Sequence, residues 1–177
     1  MASRLRRPIL GTLSVLAALV SAACAEDRRV DILVEKAPEQ PVLFYHTIHA
    51  GQDQIPCAYC HFSADRSEEA GIPAVGTCMG CHRFIQGSTP EFQQNIQVLM
   101  EFAADSIAIP WVRVHSVPTF VQFPHKPHVR AGVDCAECHG DVASMEVVER
   151  VAPLTMGWCI DCHRQRGAPD DCATCHY

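Results

Sequence analysis

The chain has 177 residues, of which 48% are hydrophobic and 19% charged, and its formal net charge at pH 7 is -6. An acidic chain offers no broad basic surface for phosphate groups, which argues against a nucleic-acid partner. Its eleven cysteines and ten histidines instead indicate covalent attachment or metal binding.

Residues 1–24 are predicted to be an export or anchor segment. A basic stretch with Arg4, Arg6 and Arg7 precedes an apolar run, residues 9–20. Cys24 follows a sequence that resembles a lipoprotein cleavage box, except that Ser21 replaces the usual Leu. Three alternatives stay open: lipid attachment at Cys24, an uncleaved transmembrane anchor, and a simple cleaved signal. Residues 25–41 are charged and are predicted to form a tether.

The pattern Cys-x-x-Cys-His occurs five times in the remaining chain. Two thiols three positions apart can form thioether bonds with the two vinyl groups of one porphyrin, and the adjoining imidazole then ligates the iron as its proximal ligand. The pattern predicts five covalent c-type haems. The thiols are Cys57 and Cys60, Cys78 and Cys81, Cys135 and Cys138, Cys159 and Cys162, and Cys172 and Cys175; the proximal ligands are His61, His82, His139, His163 and His176.

A cysteine pair alone is also typical of half a zinc site, a disulfide or a redox dithiol. Zinc sites need two pairs that close on one ion and have no use for a histidine after every second cysteine. Because all five pairs are followed by histidine, haem is the preferred interpretation. Covalent haem attachment occurs outside the cytoplasmic membrane, which agrees with the predicted export segment.

Five histidines remain, and we predict that they are the distal iron ligands: His46, His49, His115, His125 and His128. Four of them lie in two copies of Phe-x-His-x-x-His, which begin at Phe44 and Phe123, and this spacing places both rings on one side of a helical turn. Two imidazoles on every iron leave no open coordination position, which favours electron transfer over catalysis. The competing ligands are Met79, Met100, Met145 and Met156.

The repeat divides the body into a two-haem module (42–88), a helical connector (89–117) and a three-haem module (118–177). A helix is predicted from Pro90 to about Ala104, with Ser88 and Glu91 at capping-box spacing. We expect Trp111 and His115 to return to the first module. So few residues per cofactor predict a mostly irregular fold with short α-helices and little β-structure, wrapped around porphyrins.

The spacing of the paired histidines and haem motifs resembles class III multihaem cytochromes c. Residues 42–177 further resemble the pentahaem subunit of alternative complex III, a bacterial quinol:electron-acceptor oxidoreductase. That resemblance is carried by residues 70–73 and 78–82, by Trp111-Val112-Arg113-Val114-His115, by Phe123-Pro124-His125 and by Met156-Gly157-Trp158-Cys159. It implies a membrane-anchored position on the periplasmic side, beside an iron–sulfur subunit and quinol-binding integral membrane subunits.

These features predict an electron-transfer subunit of a respiratory or photosynthetic complex, which is not an enzyme on its own. It would relay electrons from quinol oxidation toward a cytochrome c or a terminal oxidase. Two alternatives stay open: a free or lipid-anchored periplasmic electron shuttle, and an electron-donating subunit of a periplasmic multihaem reductase.

Overall fold

Short helices and irregular segments alternate along residues 37–177, the part of the chain that this computed structural model describes. Two of the helices are not α-helices: a π-helix, Thr47–Gln52, which comes first in the described chain, and a 3₁₀ helix, Val142–Ser144. The α-helices are α1 Cys57–Cys60, α2 Val75–His82, α3 Pro90–Ala104, α4 His125–Arg130, α5 Cys135–His139, α6 Met156–Arg166 and α7 Cys172–Cys175. The described residues contain no strand. The predicted export segment, Cys24 and the tether up to residue 36 lie outside them.

The haem-motif helices fall into two kinds. In α1, α5 and α7 the helix begins at the first cysteine of the motif. In α2 and α6 the helix begins three residues earlier and extends to or beyond the motif histidine. A short helix is followed by a long one in both copies of the repeat, which supports the internal duplication inferred from the sequence.

The hydrophobic core is small for a domain of this length. Among residues 37–177 the buried hydrophobic side chains are Val42, Ile96, Leu99, Ile109 and Ala152. Large apolar side chains such as Phe84, at 80% exposure, lie on the surface instead. An ordinary layered core would bury many more of them. The fold therefore has the low apolar burial expected of a chain that packs around large cofactors.

Helix α3 agrees with its predicted bounds, but its N-cap was predicted wrongly. The cap is Thr89, whose Oγ1 accepts a hydrogen bond from the backbone N–H of Phe92 at 3.2 Å, so Ser88 lies one residue outside the helix. Ile96 and Leu99 are buried on the predicted apolar face. Leu99 packs with Val42 and Ile109 to form the core cluster. Partly buried side chains pack against this cluster: Val75, Cys78, Met79, Val98, Phe102 and Trp111.

The connector after α3 returns to the beginning of the described chain. Trp111 packs on the core cluster, as the sequence predicts. The side chain of Gln40 forms two hydrogen bonds of 2.9 Å with the backbone of Val112, donating to its carbonyl and accepting from its N–H. This pair of bonds fixes the connector against the segment that leads into the first Phe-x-His-x-x-His copy.

The two predicted modules lie in one compact unit that includes all of residues 37–177. The π-helix packs against the 3₁₀ helix, and a Cβ atom added to Gly51 would lie 2.5 Å from the carbonyl oxygen of Ala143. Glycine is therefore required there for a close backbone approach. Within the described residues no helix has the length and apolar character needed to cross a membrane.

Replacing Thr89 with Ala removes the cap of α3 and is expected to destabilise the haem-loaded protein by about 1 kcal/mol. The matched control, Ser88→Ala, removes a hydroxyl one residue earlier and is expected to change stability little. Denaturant unfolding followed by circular dichroism measures both. Equal destabilisation by the two variants would contradict the assignment of Thr89 as the cap.

Candidate functional site

Each cysteine pair lies on a helix with the two thiols three positions apart, which places them on one helix face. No disulfide joins any of the ten cysteines of the described region. Burial raises the pKa of several of these thiols, among them Cys60 and Cys138. Two thiols on one face match the spacing needed for two thioether bonds to one porphyrin.

Four of the five proximal histidines have their ring Nδ1 atom fixed by a backbone carbonyl. Nδ1 of His61 lies 2.7 Å from the oxygen of Gly71, and Nδ1 of His82 lies 3.1 Å from that of Ile85. The corresponding partners of His163 and His176 are the carbonyls of Pro169 and Phe120. A carbonyl only accepts, so Nδ1 donates in each pair and Nε2 carries the free lone pair.

Three of the predicted distal histidines follow the same rule. Nδ1 of His49 donates to the Tyr45 carbonyl at 3.0 Å, and Nδ1 of His128 donates to the Pro124 carbonyl at 2.8 Å. Nδ1 of His125 donates to the carbonyl of Glu68, which is 57 positions away in the chain, at 2.9 Å. Metal-ligating histidines characteristically donate their second ring N–H to such an acceptor. These rings therefore have the tautomer that a haem iron requires.

The remaining three histidines, His46, His115 and His139, are partly buried. Nδ1 of His46 and Nε2 of His115 are buried without a hydrogen-bond partner in the described region. Burial, followed by the charges of His61 and His49, lowers the pKa of His46 to about 4. Burial, followed by the charges of His115, His125 and His61, lowers the pKa of His139 to about 4. These imidazoles are neutral at pH 7, which leaves a lone pair available to a metal.

The spacing of the rings fits iron coordination. An imidazole nitrogen binds a metal at about 2 Å and the ring centroid lies about 1 Å further out, so two imidazoles on opposite faces of one iron have centroids about 6 Å apart. The centroid separation is 5.9 Å for His49 and His82, 5.9 Å for His128 and His163, and 6.3 Å for His125 and His139. The residues present therefore fit bis-histidine haem.

The two copies of Phe-x-His-x-x-His have the same internal geometry. Phe44 contacts His46 edge-on at 4.7 Å and stacks on His49 at 4.4 Å. Phe123 contacts His125 edge-on at 5.0 Å and packs on His128 at 4.6 Å. One phenyl ring thus orients both imidazoles of its copy, which gives the phenylalanine of the repeat a physical role that its spacing alone does not reveal.

His115 does not lie in the module that the sequence predicts for it. Its ring lies 4.4 Å from that of His139, at 75°, so the connector brings it to the second module rather than the first. Burial, followed by the charge of Arg150, lowers its pKa. In the described region His176 has a ring contact with Phe120, at 5.9 Å, and none with another histidine.

Three of the four candidate methionine ligands can be placed by their contacts or exposure. Met79 packs on the core cluster of the first module, and Met156 is 69% exposed at the start of α6. The tip of the Met145 side chain packs beside Gly140, the residue after His139. Packing is the function that the structure shows for Met79 and Met145.

Two parts of the chain are similar to known cytochromes. Residues 121–177 match the family of cytochrome c7 and related cytochromes c. The chain is also 30% identical, over 101 residues, to the multihaem cytochrome c subunit of menaquinone reductase from Nitratidesulfovibrio vulgaris (strain Hildenborough). The match covers 57% of this chain and 46% of that protein, so the chain spans less than half the length of this relative.

The short helices in a mainly irregular chain confirm the predicted fold class, and the family match over residues 121–177 agrees with a multihaem cytochrome c fold in that part of the chain. The similarities support covalent c-type haem and electron transfer as the chemistry of the chain. The described residues hold no cluster of three or more His, Cys, Asp or Glu side chains suited to a metal ion. A bis-histidine haem iron takes only two ligands from the protein.

Replacing Phe123 with Leu should release His125 and His128 from their shared ring contact. We expect the haem content to stay the same while the low-spin electron paramagnetic resonance (EPR) signals of two haems shift, because those signals report the orientation of the imidazole planes. Phe84→Leu is the matched control, since Phe84 is 80% exposed and contacts no histidine ring in the described region. Unchanged signals in Phe123→Leu would refute the orienting role.

Proposed function

We propose that the protein is a pentahaem c-type cytochrome that relays electrons within a membrane-bound quinol-oxidising complex. One observation carries this proposal: seven of the ten histidines, all of them within residues 37–177, hold Nδ1 on a backbone carbonyl and leave Nε2 free. Ordinary surface histidines have no need of this common arrangement. Combined with five cysteine pairs, it supports five haem sites in one chain.

The ring separations support a pairing of distal and proximal ligands that is the same in both copies. The second histidine of each copy serves the second haem motif, which pairs His49 with His82 and His128 with His163. The first histidine of the second copy serves the first motif of that copy, which pairs His125 with His139. By the same rule we propose that His46 serves His61. His115 stays the predicted fifth distal ligand, and its assignment is tested below.

The roles of the chain's own residues follow from this pairing. The cysteines would hold each cofactor covalently, the imidazoles would ligate its iron, and the backbone carbonyls fix the orientation of seven of the imidazoles. When bound, c-type haem supplies a one-electron carrier whose iron alternates between the ferric and ferrous states. A second imidazole keeps the reduction potential below that of a His/Met site, which suits electrons that come from a quinol.

The membrane complex is inferred from two similarities. The relative from N. vulgaris is a subunit of a menaquinone reductase, and residues 42–177 resemble the pentahaem subunit of alternative complex III. We propose partners of the same chemistry: an iron–sulfur subunit, quinol-binding integral membrane subunits, and a cytochrome c or terminal oxidase as acceptor. We also propose a periplasmic position, with attachment to the membrane through a lipid on Cys24.

If all five irons are bis-histidine, EPR of the fully oxidised protein should show only low-spin ferric haem, at five haems per chain. His49→Ala should convert one haem to high spin and leave the others low-spin. His115→Ala should do the same if His115 is a distal ligand. A His115 variant with all five haems low-spin would remove it from the ligand set, and a stoichiometric high-spin haem in the unmodified protein would refute five closed irons.

Detergent extraction of membranes, followed by affinity purification of the tagged chain, tests the proposed complex. We expect iron–sulfur and integral membrane subunits to co-purify, and we expect a menaquinol analogue to reduce the haems of that complex but not those of the isolated chain. Recovery of the chain alone in the soluble fraction would favour a free electron shuttle. Co-purification with an oxyanion-reducing subunit would favour the multihaem reductase.

A further inference from the structure

The two copies of Phe-x-His-x-x-His differ at the residue whose carbonyl orients the second histidine. In the second copy Nδ1 of His128 donates to the carbonyl of Pro124, and in the first copy Nδ1 of His49 donates to the carbonyl of Tyr45. A proline ring fixes φ and so removes one of the two soft backbone rotations at Pro124. Tyrosine has no such restriction, so the carbonyl of Tyr45 needs another source of rigidity.

The side chain of Tyr45 is held by the first turn of helix α3. Its hydroxyl donates a hydrogen bond to Oε1 of Glu91 at 3.0 Å, and its ring lies edge-on to that of Phe92, with 5.5 Å between the ring centroids. The hydrogen bond with Glu91, followed by burial, raises the pKa of Tyr45, so the phenol is protonated at pH 7 and donates. Phe92 in turn packs closely on the turn before α3, because a Cβ atom added to Gly87 would lie 2.8 Å from its Cβ atom.

Helix α3 also packs against the helix that carries the proximal ligand of the same site. Leu99 of α3 belongs to the core cluster, and Cys78 and Met79 of α2 pack against that cluster. Helix α2 ends at His82, whose ring centroid lies 5.9 Å from that of His49. One helix therefore contacts both segments of this candidate haem site, the distal segment through Tyr45 and the proximal segment through α2.

We propose that Tyr45 and Glu91 are positioning residues for His49, and that helix α3 through them sets the orientation of the distal imidazole relative to His82. Tyr45 acts through its backbone carbonyl on Nδ1 of His49, and Glu91 acts through the hydroxyl of Tyr45. Neither residue is an iron ligand. This inference rests on the proposed function, because it takes His49 and His82 as the two ligands of one haem iron.

The carbonyl of Tyr45 affects the reduction potential of this site as well as the plane of the ring. A carbonyl that accepts the Nδ1 proton raises the basicity of the imidazole, which makes Nε2 a stronger donor to ferric iron. A less firmly held carbonyl weakens that hydrogen bond. Loss of the contact with Glu91 should therefore raise the potential of the haem at His49 and leave the potentials of the other haems unchanged.

Tyr45→Phe tests the hydroxyl, because it removes the hydrogen bond and keeps the ring that contacts Phe92. In the haem-loaded protein we expect five haems per chain, a shifted low-spin EPR signal from one haem, and a higher midpoint potential for that haem in a redox titration. His49→Ala identifies the haem, since its low-spin signal is the one that this variant loses. Tyr177→Phe is the matched control, because Tyr177 also adjoins a predicted ligand histidine and is 74% exposed.

Variants of Glu91 test the other partner of the hydrogen bond. Glu91→Ala should shift the same EPR signal, and its combination with Tyr45→Phe should shift that signal no further, because both changes break one interaction. Glu91→Gln keeps an acceptor oxygen and should retain a signal close to that of the unmodified protein. Glu101→Ala is the matched control, since Glu101 is an exposed carboxylate on the same helix.

The outcomes separate this inference from the proposed function. An unchanged signal and potential for the His49 haem in Tyr45→Phe and Glu91→Ala would overturn the positioning role, as would additive shifts in the double variant or an equal shift in Glu91→Gln. Fewer than five haems in the unmodified protein, or a His49→Ala variant with every haem low-spin, would overturn the proposed function instead. Should Tyr45→Phe lose haem, Glu91→Ala decides, because it changes no residue of the haem-binding segments.

Discussion

The hydrogen bond from an imidazole Nδ1 to a backbone carbonyl is the interaction on which this structure depends. It selects one tautomer, fixes the plane of the ring and leaves Nε2 available to iron. The acceptors are main-chain atoms of turns and helix ends, such as Gly71 after the first motif and Pro169 after the fourth. The irregular backbone is therefore shaped by the ligands it has to orient, which explains why much of the chain forms turns rather than long helices.

The hydrophobic core is small, and the proposed cofactors offer a reason. Leu99, Val42 and Ile109 form a compact cluster, and few other apolar side chains in the described region are buried. Apolar burial is the main driving force of folding, so a domain with so little of it needs another source of stability. Covalently held porphyrins would supply apolar surface and iron–ligand bonds together, and folding would then be coupled to cofactor attachment as in small metal-dependent domains.

Sequence reasoning could propose a set of haem ligands because the candidate residues lie in short local patterns. The five Cys-x-x-Cys-His motifs, the duplicated Phe-x-His-x-x-His and helix α3 are all short-range signals. The carbonyl partners were not predicted, because any residue can supply a carbonyl and its position depends on the backbone path. The N-cap was assigned to Ser88 instead of Thr89, since adjacent hydroxyl residues both fit the cap preference. His115 was assigned to the first module because its partner is set by tertiary packing.

The duplicated pattern suggests two modules that could each stand alone, and the structure argues against that independence. In the first copy Nδ1 of His49 donates a hydrogen bond to the backbone carbonyl of Tyr45, which lies within the same copy. In the second copy His128 does likewise with Pro124, but His125 depends on Glu68 of the first module. The second module therefore completes its ligand geometry only when the first is in place. A hydrogen bond that orients a ligand also influences its basicity and hence the potential of a bound iron, so the contact with Glu68 would affect both the position of His125 and the potential of an iron bound to it.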